Sequence, residues 1–152
     1  MTWLAAGLVL VAACGGGEKQ ADSSAAAAAP AAAAPAATAT GTVHEIDMTM
    51  NGTTPMYSPA EVTIKQGDIV RFVNKQGGPH NISFWPDSMP AGGAAVLTAA
   101  MKDQMGPMQS QLEVEQDKAY DISFAGAPVG TYKFYCLPHL AMSMHGKIIV
   151  TK

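Results

Sequence analysis

The segment Cys136-Leu137-Pro138-His139-Leu140-Ala141-Met142-Ser143-Met144-His145-Gly146 puts a thiol, an imidazole three residues later and a thioether eight residues after the cysteine into one loop. These are three of the four ligands of a trigonal His₂Cys metal site with a long, weak axial methionine. A second imidazole is available upstream in Gly77-Gly78-Pro79-His80-Asn81. The candidate ligands are therefore His80, Cys136, His139 and Met144. Thiolate and thioether suit Cu(I), imidazole suits Cu(II), and a trigonal set with a distant methionine lies between the two preferences. Copper also heads the affinity order for divalent first-row metals, so it is the ion this set favours.

Other residues compete for the role. Met142 lies six residues after Cys136 and is an alternative axial ligand. His44 and His145 read as structural or surface residues. Met89, Met101, Met105 and Met108 could form a soft Cu(I)-binding array, although methionines at irregular spacing more commonly fill gaps in packing.

The elements that must position these side chains are short strands. His44, Ile46, Met48 and Met50 alternate with Glu45, Asp47 and Thr49, the pattern of a half-buried strand. Further strand-like runs cover residues 61–64, 68–73, 80–84, 111–115, 119–124, 131–136 and 147–151. Turn signals at Asn51-Gly52, Gln66-Gly67-Asp68, residues 75–79, Gln116-Asp117 and Pro128-Val129-Gly130 separate them at the spacing of an antiparallel sandwich. Residues 86–110 read as an irregular excursion with a helical turn or short helix near 97–104. In the run from Tyr132 to Cys136, Tyr132, Phe134 and Cys136 share one face, which directs Cys136 inward and Tyr135 outward.

The 152-residue chain has room for one ordinary domain. Residues 3–13 are an apolar run too short to span a bilayer, which needs about 20 residues. They read as the core of an export signal over residues 1–13, and Val11-Ala12-Ala13-Cys14 resembles a bacterial lipobox with Cys14 as the lipidated residue. Two or more acyl chains would give stable attachment. Residues 14–41 carry the lipidated cysteine and an Ala-rich tether interrupted by Pro30 and Pro35, with no large apolar residue beyond Gly17. This leaves residues 42–152 as the folded domain and Cys136 as its single thiol. Nine Lys and Arg against twelve Asp and Glu give a net charge of −3, which excludes the basic footprint of a nucleic-acid binder.

Residues 62–80 (VTIKQGDIVRFVNKQGGPH), Asn81-Ile82-Ser83-Phe84, Asp87-Ser88-Met89-Pro90-Ala91-Gly92 and residues 130–150 (GTYKFYCLPHLAMSMHGKIIV) resemble plastocyanin, a blue-copper cupredoxin. The loop through Met144 is also similar to that of the related pseudoazurins. The resemblance covers residues 42–152. It implies an all-β cupredoxin Greek-key sandwich of about eight strands, and one copper ion on His80, Cys136, His139 and Met144. It further implies that Asn81 ties the two ligand loops together, that Tyr135 is a docking tyrosine at the surface, and that His139 emerges through an apolar patch of Leu137, Leu140, Ala141 and Met142. Pro138 lacks an N–H to offer the cysteine sulfur, which favours the reduced state. The acidic run of the plant proteins is replaced by Trp85-Pro86-Asp87-Ser88, which argues against a plant-type acidic docking patch.

The function so implied is single-electron transfer between membrane-associated or periplasmic redox proteins, such as c-type cytochromes or membrane electron-transfer complexes. The carrier would be a monomer anchored through Cys14 to the periplasmic or outer-surface face of a bacterial membrane. The alternative is extracytoplasmic copper binding or trafficking by the Met-rich segments. Four histidines with no His-x-His pair argue against a multicopper enzyme.

Overall fold

Alternation of apolar and polar residues builds the first strand, β1 (Val43–Asn51), with Ile46 and Met48 fully buried on its inner side. A computed structural model describes residues 41–152; the expected export signal and nearly all of the expected tether, residues 1–40, lie outside the described residues. The Asn51-Gly52 turn leads into β2 (Thr54–Ser58), which pairs antiparallel with β1. This strand is absent from the sequence reading. Pro55 removes a backbone donor and is tolerated because β2 is an edge strand.

The remaining strands are β3 (Glu61–Lys65), β4 (Ile69–Asn74), β5 (Ser83–Phe84), β6 (Gln104–Gly106), β7 (Gln109–Ser110), β8 (Ala119–Ser123), β9 (Gly130–Tyr135) and β10 (His145–Thr151). They form two sheets, ordered β2-β1-β4-β8 and β3-β10-β9-β5-β7-β6. The sandwich is mixed rather than purely antiparallel, because β1 runs parallel to β4 and β3 parallel to β10. Spacing along the chain locates most of the longer strands, although ten form rather than the eight expected. It does not report the crossing between sheets that makes two strands of one sheet parallel.

Residues 111–115 do not form the strand read from sequence. A single bridge joins Glu113 to His80, while Leu112 and Val114 face solvent and Glu113 is buried. The apolar residues thus take the outer phase of the alternation. In the excursion, the helix α1 spans Gly93–Ala100, four residues earlier than its expected start at 97. Pro90 accepts a hydrogen bond from the Gly93 N–H, and Gly93 lies against the Tyr132 ring, where an added Cβ would come within 2.8 Å of Cε1. The helix stops when Met101 turns extended.

The core between the sheets is aromatic. Phe134 makes edge contacts with Tyr57 and Phe72, at centroid distances of 4.7 and 5.2 Å, and all three rings are buried. Such contacts contribute about 0.5–1.5 kcal/mol each beyond area burial. They fix the end of β9, and with it Cys136.

Candidate metal centre

Two loops at one end of the sandwich supply the site. His80 lies between β4 and β5, and the rest come from the connection between β9 and β10. That connection is short and bonded to itself. The Cys136 N–H donates to the Met144 carbonyl at 3.0 Å, the His139 N–H to Cys136 at 3.2 Å, and the Met144 N–H to His139 at 3.3 Å. A 3-10 turn over Leu140–Met142 and a left-handed Ser143 close it. The backbone pairing of Cys136 with Met144 brings both residues to the buried floor of the loop, with Met144 only 1% exposed and Met142 48% exposed.

Three donor atoms converge. Cys136 Sγ lies 3.6 Å from His80 Nδ1 and 3.4 Å from His139 Nδ1, and the two Nδ1 atoms are 3.1 Å apart. His80 Nε2 donates to the Gln76 carbonyl at 3.0 Å, which leaves Nδ1 as a lone pair facing the cluster. Bonds of about 2.0–2.3 Å, the range for zinc to these atom types, put trigonal ligands about 3.5–3.8 Å apart. The Cys136–His80 separation of 3.6 Å falls in this range, whereas the other two, 3.4 and 3.1 Å, are shorter. Lone pairs crowded this closely repel one another unless a cation or proton lies among them, so the donor set fits a thiophilic cation.

Electrostatics point the same way. Burial lowers the pKa of His80, and the nearby His139 lowers it further, while the Gln76 carbonyl opposes both. Burial also lowers that of His139, so both imidazoles stay neutral ligands. The Cys136 thiol is pushed up by burial, partly offset by the backbone N–H groups of Asn81 and His139 and by the Tyr57 hydroxyl. A bound cation inverts that balance and holds the thiolate.

A polar frame supports the ligands. Asn81 Oδ1 accepts the Leu137 N–H at 2.7 Å, and its Nδ2 donates to Ser83 Oγ at 3.1 Å. The Tyr57 hydroxyl donates to the Asn81 carbonyl at 2.6 Å. His80 and Glu113 exchange both backbone bonds, at 3.1 and 2.7 Å, and Asn74 Nδ2 clamps the Glu113 and Glu115 carbonyls. Tyr57, Asn74 and Glu113 were not singled out from the sequence. A polar Asn74 ending the apolar run of β4 was the available signal.

The other candidates lie elsewhere. His44 Nε2 is 2.8 Å from Asp68 Oδ2 and pins the start of β1. His145 is exposed beside Trp85. Met101 and Met108 are buried in the core and Met89 packs against it, while Met105 is exposed. Leu137, Leu140 and Met142 are exposed around a half-buried His139, the apolar rim that the resemblance implied.

Fold and donor set together define a cupredoxin with one copper site. The family model of copper-binding proteins of the plastocyanin/azurin family matches residues 44–151. A plastocyanin of Prochlorothrix hollandica is 37% identical over 115 residues, covering 76% of this chain and 78% of that protein. A plastocyanin of Synechococcus sp. is 38% identical over 95 residues, covering 62% of this chain and 63% of that protein. The solved oxidized plastocyanin of Dryopteris crassirhizoma superposes with a TM-score of 0.55 at 28% identity, covering 71% of this chain and all of that one. The chain belongs to the copper-binding plastocyanin/azurin family.

Proposed function

We propose that this protein is a single-electron carrier in which His80, Cys136, His139 and Met144 would hold one copper ion. The observation that carries the reading is the convergence of the His80, Cys136 and His139 donor atoms within 4.8 Å of one another. Copper supplies a one-electron change between Cu(I) and Cu(II). The chain supplies a cramped, hydrogen-bonded frame that resists rearrangement between the two. It also leaves His139 half-buried beneath an apolar rim where a partner can approach.

The rival reading, Cu(I) trafficking by a methionine array, is less well supported, because Met101 and Met108 are committed to the core. Partners are redox proteins such as c-type cytochromes. Residues 1–13 direct export, and lipid on Cys14 anchors a monomeric carrier on the periplasmic or outer-surface face of a bacterial membrane. Adding one equivalent of Cu²⁺ to the full chain and recording visible and EPR spectra tests the site. An intense blue band with a narrow copper hyperfine pattern supports it, and a colourless tetragonal complex overturns it. Fatty-acid labelling that is lost in Cys14→Ala tests the anchor.

A further inference from the structure

Tyr57 carries a hydroxyl into an aromatic core, where its ring alone makes the edge contacts with Phe134 and Phe72. The residue is only 1% exposed, so its oxygen must be bonded inside the protein or its burial is unfavourable. A phenylalanine would fill the same space without that demand. The hydroxyl, rather than the ring, is therefore the feature that calls for a role.

Its position is fixed from two directions. Phe134 and Cys136, two residues apart and both fully buried, point to the same side of the chain, and the Tyr57 ring packs on Phe134 at 4.7 Å. The hydroxyl donates to the Asn81 carbonyl at 2.6 Å, and Asn81 Oδ1 in turn accepts the Leu137 N–H at 2.7 Å. The phenol oxygen thus lies at the ligand end of the core, bracketed by the residue after His80 and the residue after Cys136. Burial foremost, followed by the charge of Cys136 and a hydrogen bond with it, pushes the Tyr57 pKa well above the ordinary value for a tyrosine. The same hydroxyl works against the upward push that burial gives the Cys136 thiol.

Given the copper site proposed for His80, Cys136, His139 and Met144, we infer that Tyr57 is a positioning residue for the metal thiolate: its hydroxyl proton, bonded to the Asn81 carbonyl, also faces the Cys136 sulfur. A donor facing a thiolate draws electron density from the sulfur and weakens its bond to the metal, and hydrogen bonding around that sulfur is one of the means by which a protein tunes such a site. Tyr57 comes from β2, an edge strand that supplies no ligand, so it controls the sulfur from outside the two ligand loops.

The test is resonance Raman spectroscopy of the full chain loaded with Cu²⁺, read at the copper–sulfur stretching band. Tyr57→Phe removes only the hydroxyl, and the band is expected to move to higher wavenumber as the sulfur regains density. Tyr57→3-fluorotyrosine keeps the hydroxyl and makes it a stronger donor, so the band is expected to move to lower wavenumber. Release of copper from the reduced protein to a chelator should be at least threefold faster in Tyr57→Phe, because the Asn81 carbonyl loses its partner. Thermal melts of the metal-free variants serve as the control for folding. Bands that coincide in all three proteins, or that move the same way in both variants, would overturn the inference and leave Tyr57 a packing residue. A wild-type protein with no blue band would instead overturn the copper site itself.

Discussion

Asn81 Oδ1 accepts the Leu137 N–H at 2.7 Å, so the residue after His80 is bonded to the residue after Cys136. Asn81 is fully buried, and its Nδ2 is used by Ser83. Asn81→Ala leaves those partners without it, at a cost of about 1–3 kcal/mol for a buried group left unsatisfied. Thermal melts of the reduced copper protein are expected to show the loss, together with faster copper release to a chelator. An unchanged melting temperature and unchanged release would mean that the two loops are held together by other contacts.

Cys136→Ser removes the thiolate from the converging donors. The expected outcome is complete loss of the intense visible band, which depends on sulfur-to-copper charge transfer. Any copper still bound would be pale, and a persistent blue colour in this variant would remove Cys136 from the site.

Met144 is buried beside Cys136 through the backbone bond between them, whereas Met142 points outward. Met144→Leu is expected to keep the blue site and raise its reduction potential, because losing a fourth donor lowers the coordination number, which Cu(I) tolerates better than Cu(II). Met142→Leu leaves the potential where it was. Cyclic voltammetry of the two variants decides, and exchanged behaviour would assign the axial role to Met142.

These positions were legible in the sequence because ligand chemistry is dense there: Cys, His and Met at fixed spacing in one loop, and alternation that put Tyr132, Phe134 and Cys136 on one face. The loop-to-loop bond from Asn81 was accessible only through the resemblance. Residues 111–115 misled because Leu112 and Val114 alternate as a strand does, yet the inner position is taken by Glu113, which reaches Lys118 at 3.6 Å. Pro55 concealed β2, since an edge position cannot be told from a central one without the partner strands. The start of α1 was hidden because the small size of Gly93 answers to Tyr132, distant in sequence.

Asp68 accepts hydrogen bonds from the Thr42 and Lys65 N–H groups, both at 2.9 Å, and pairs with His44. The Lys65 N–H foremost, with His44 and the Thr42 N–H, holds its carboxyl below the usual carboxylate range. The folded pKa is therefore depressed, so this contribution is present above the unfolded value of about 3.9 and is lost as pH falls through the lower, folded value. Urea unfolding as a function of pH is expected to show an acid limb that is shallower in Asp68→Asn, which is also less stable at neutral pH. Parallel acid limbs in the two proteins would detach Asp68 from the effect.

The rim around His139 consists of Leu137, Pro138, Leu140, Ala141 and Met142, with no charged side chain among them. A partner that approaches there gains from apolar contact and loses little to salt, which screens charge pairs separated by more than a Debye length of about 8 Å and finds no charged side chain to act on at this rim. Leu140→Glu puts a carboxylate where the partner must exclude water, and stopped-flow electron transfer to a c-type cytochrome is expected to slow by about tenfold, equivalent to ~1.4 kcal/mol. The blue spectrum stays the same because Leu140 is not a ligand. Added salt is expected to change the wild-type rate only modestly, because the rim carries no charged side chain. Strong salt dependence of the wild-type rate, together with an indifferent Leu140→Glu, would move the electron-transfer interface away from this rim.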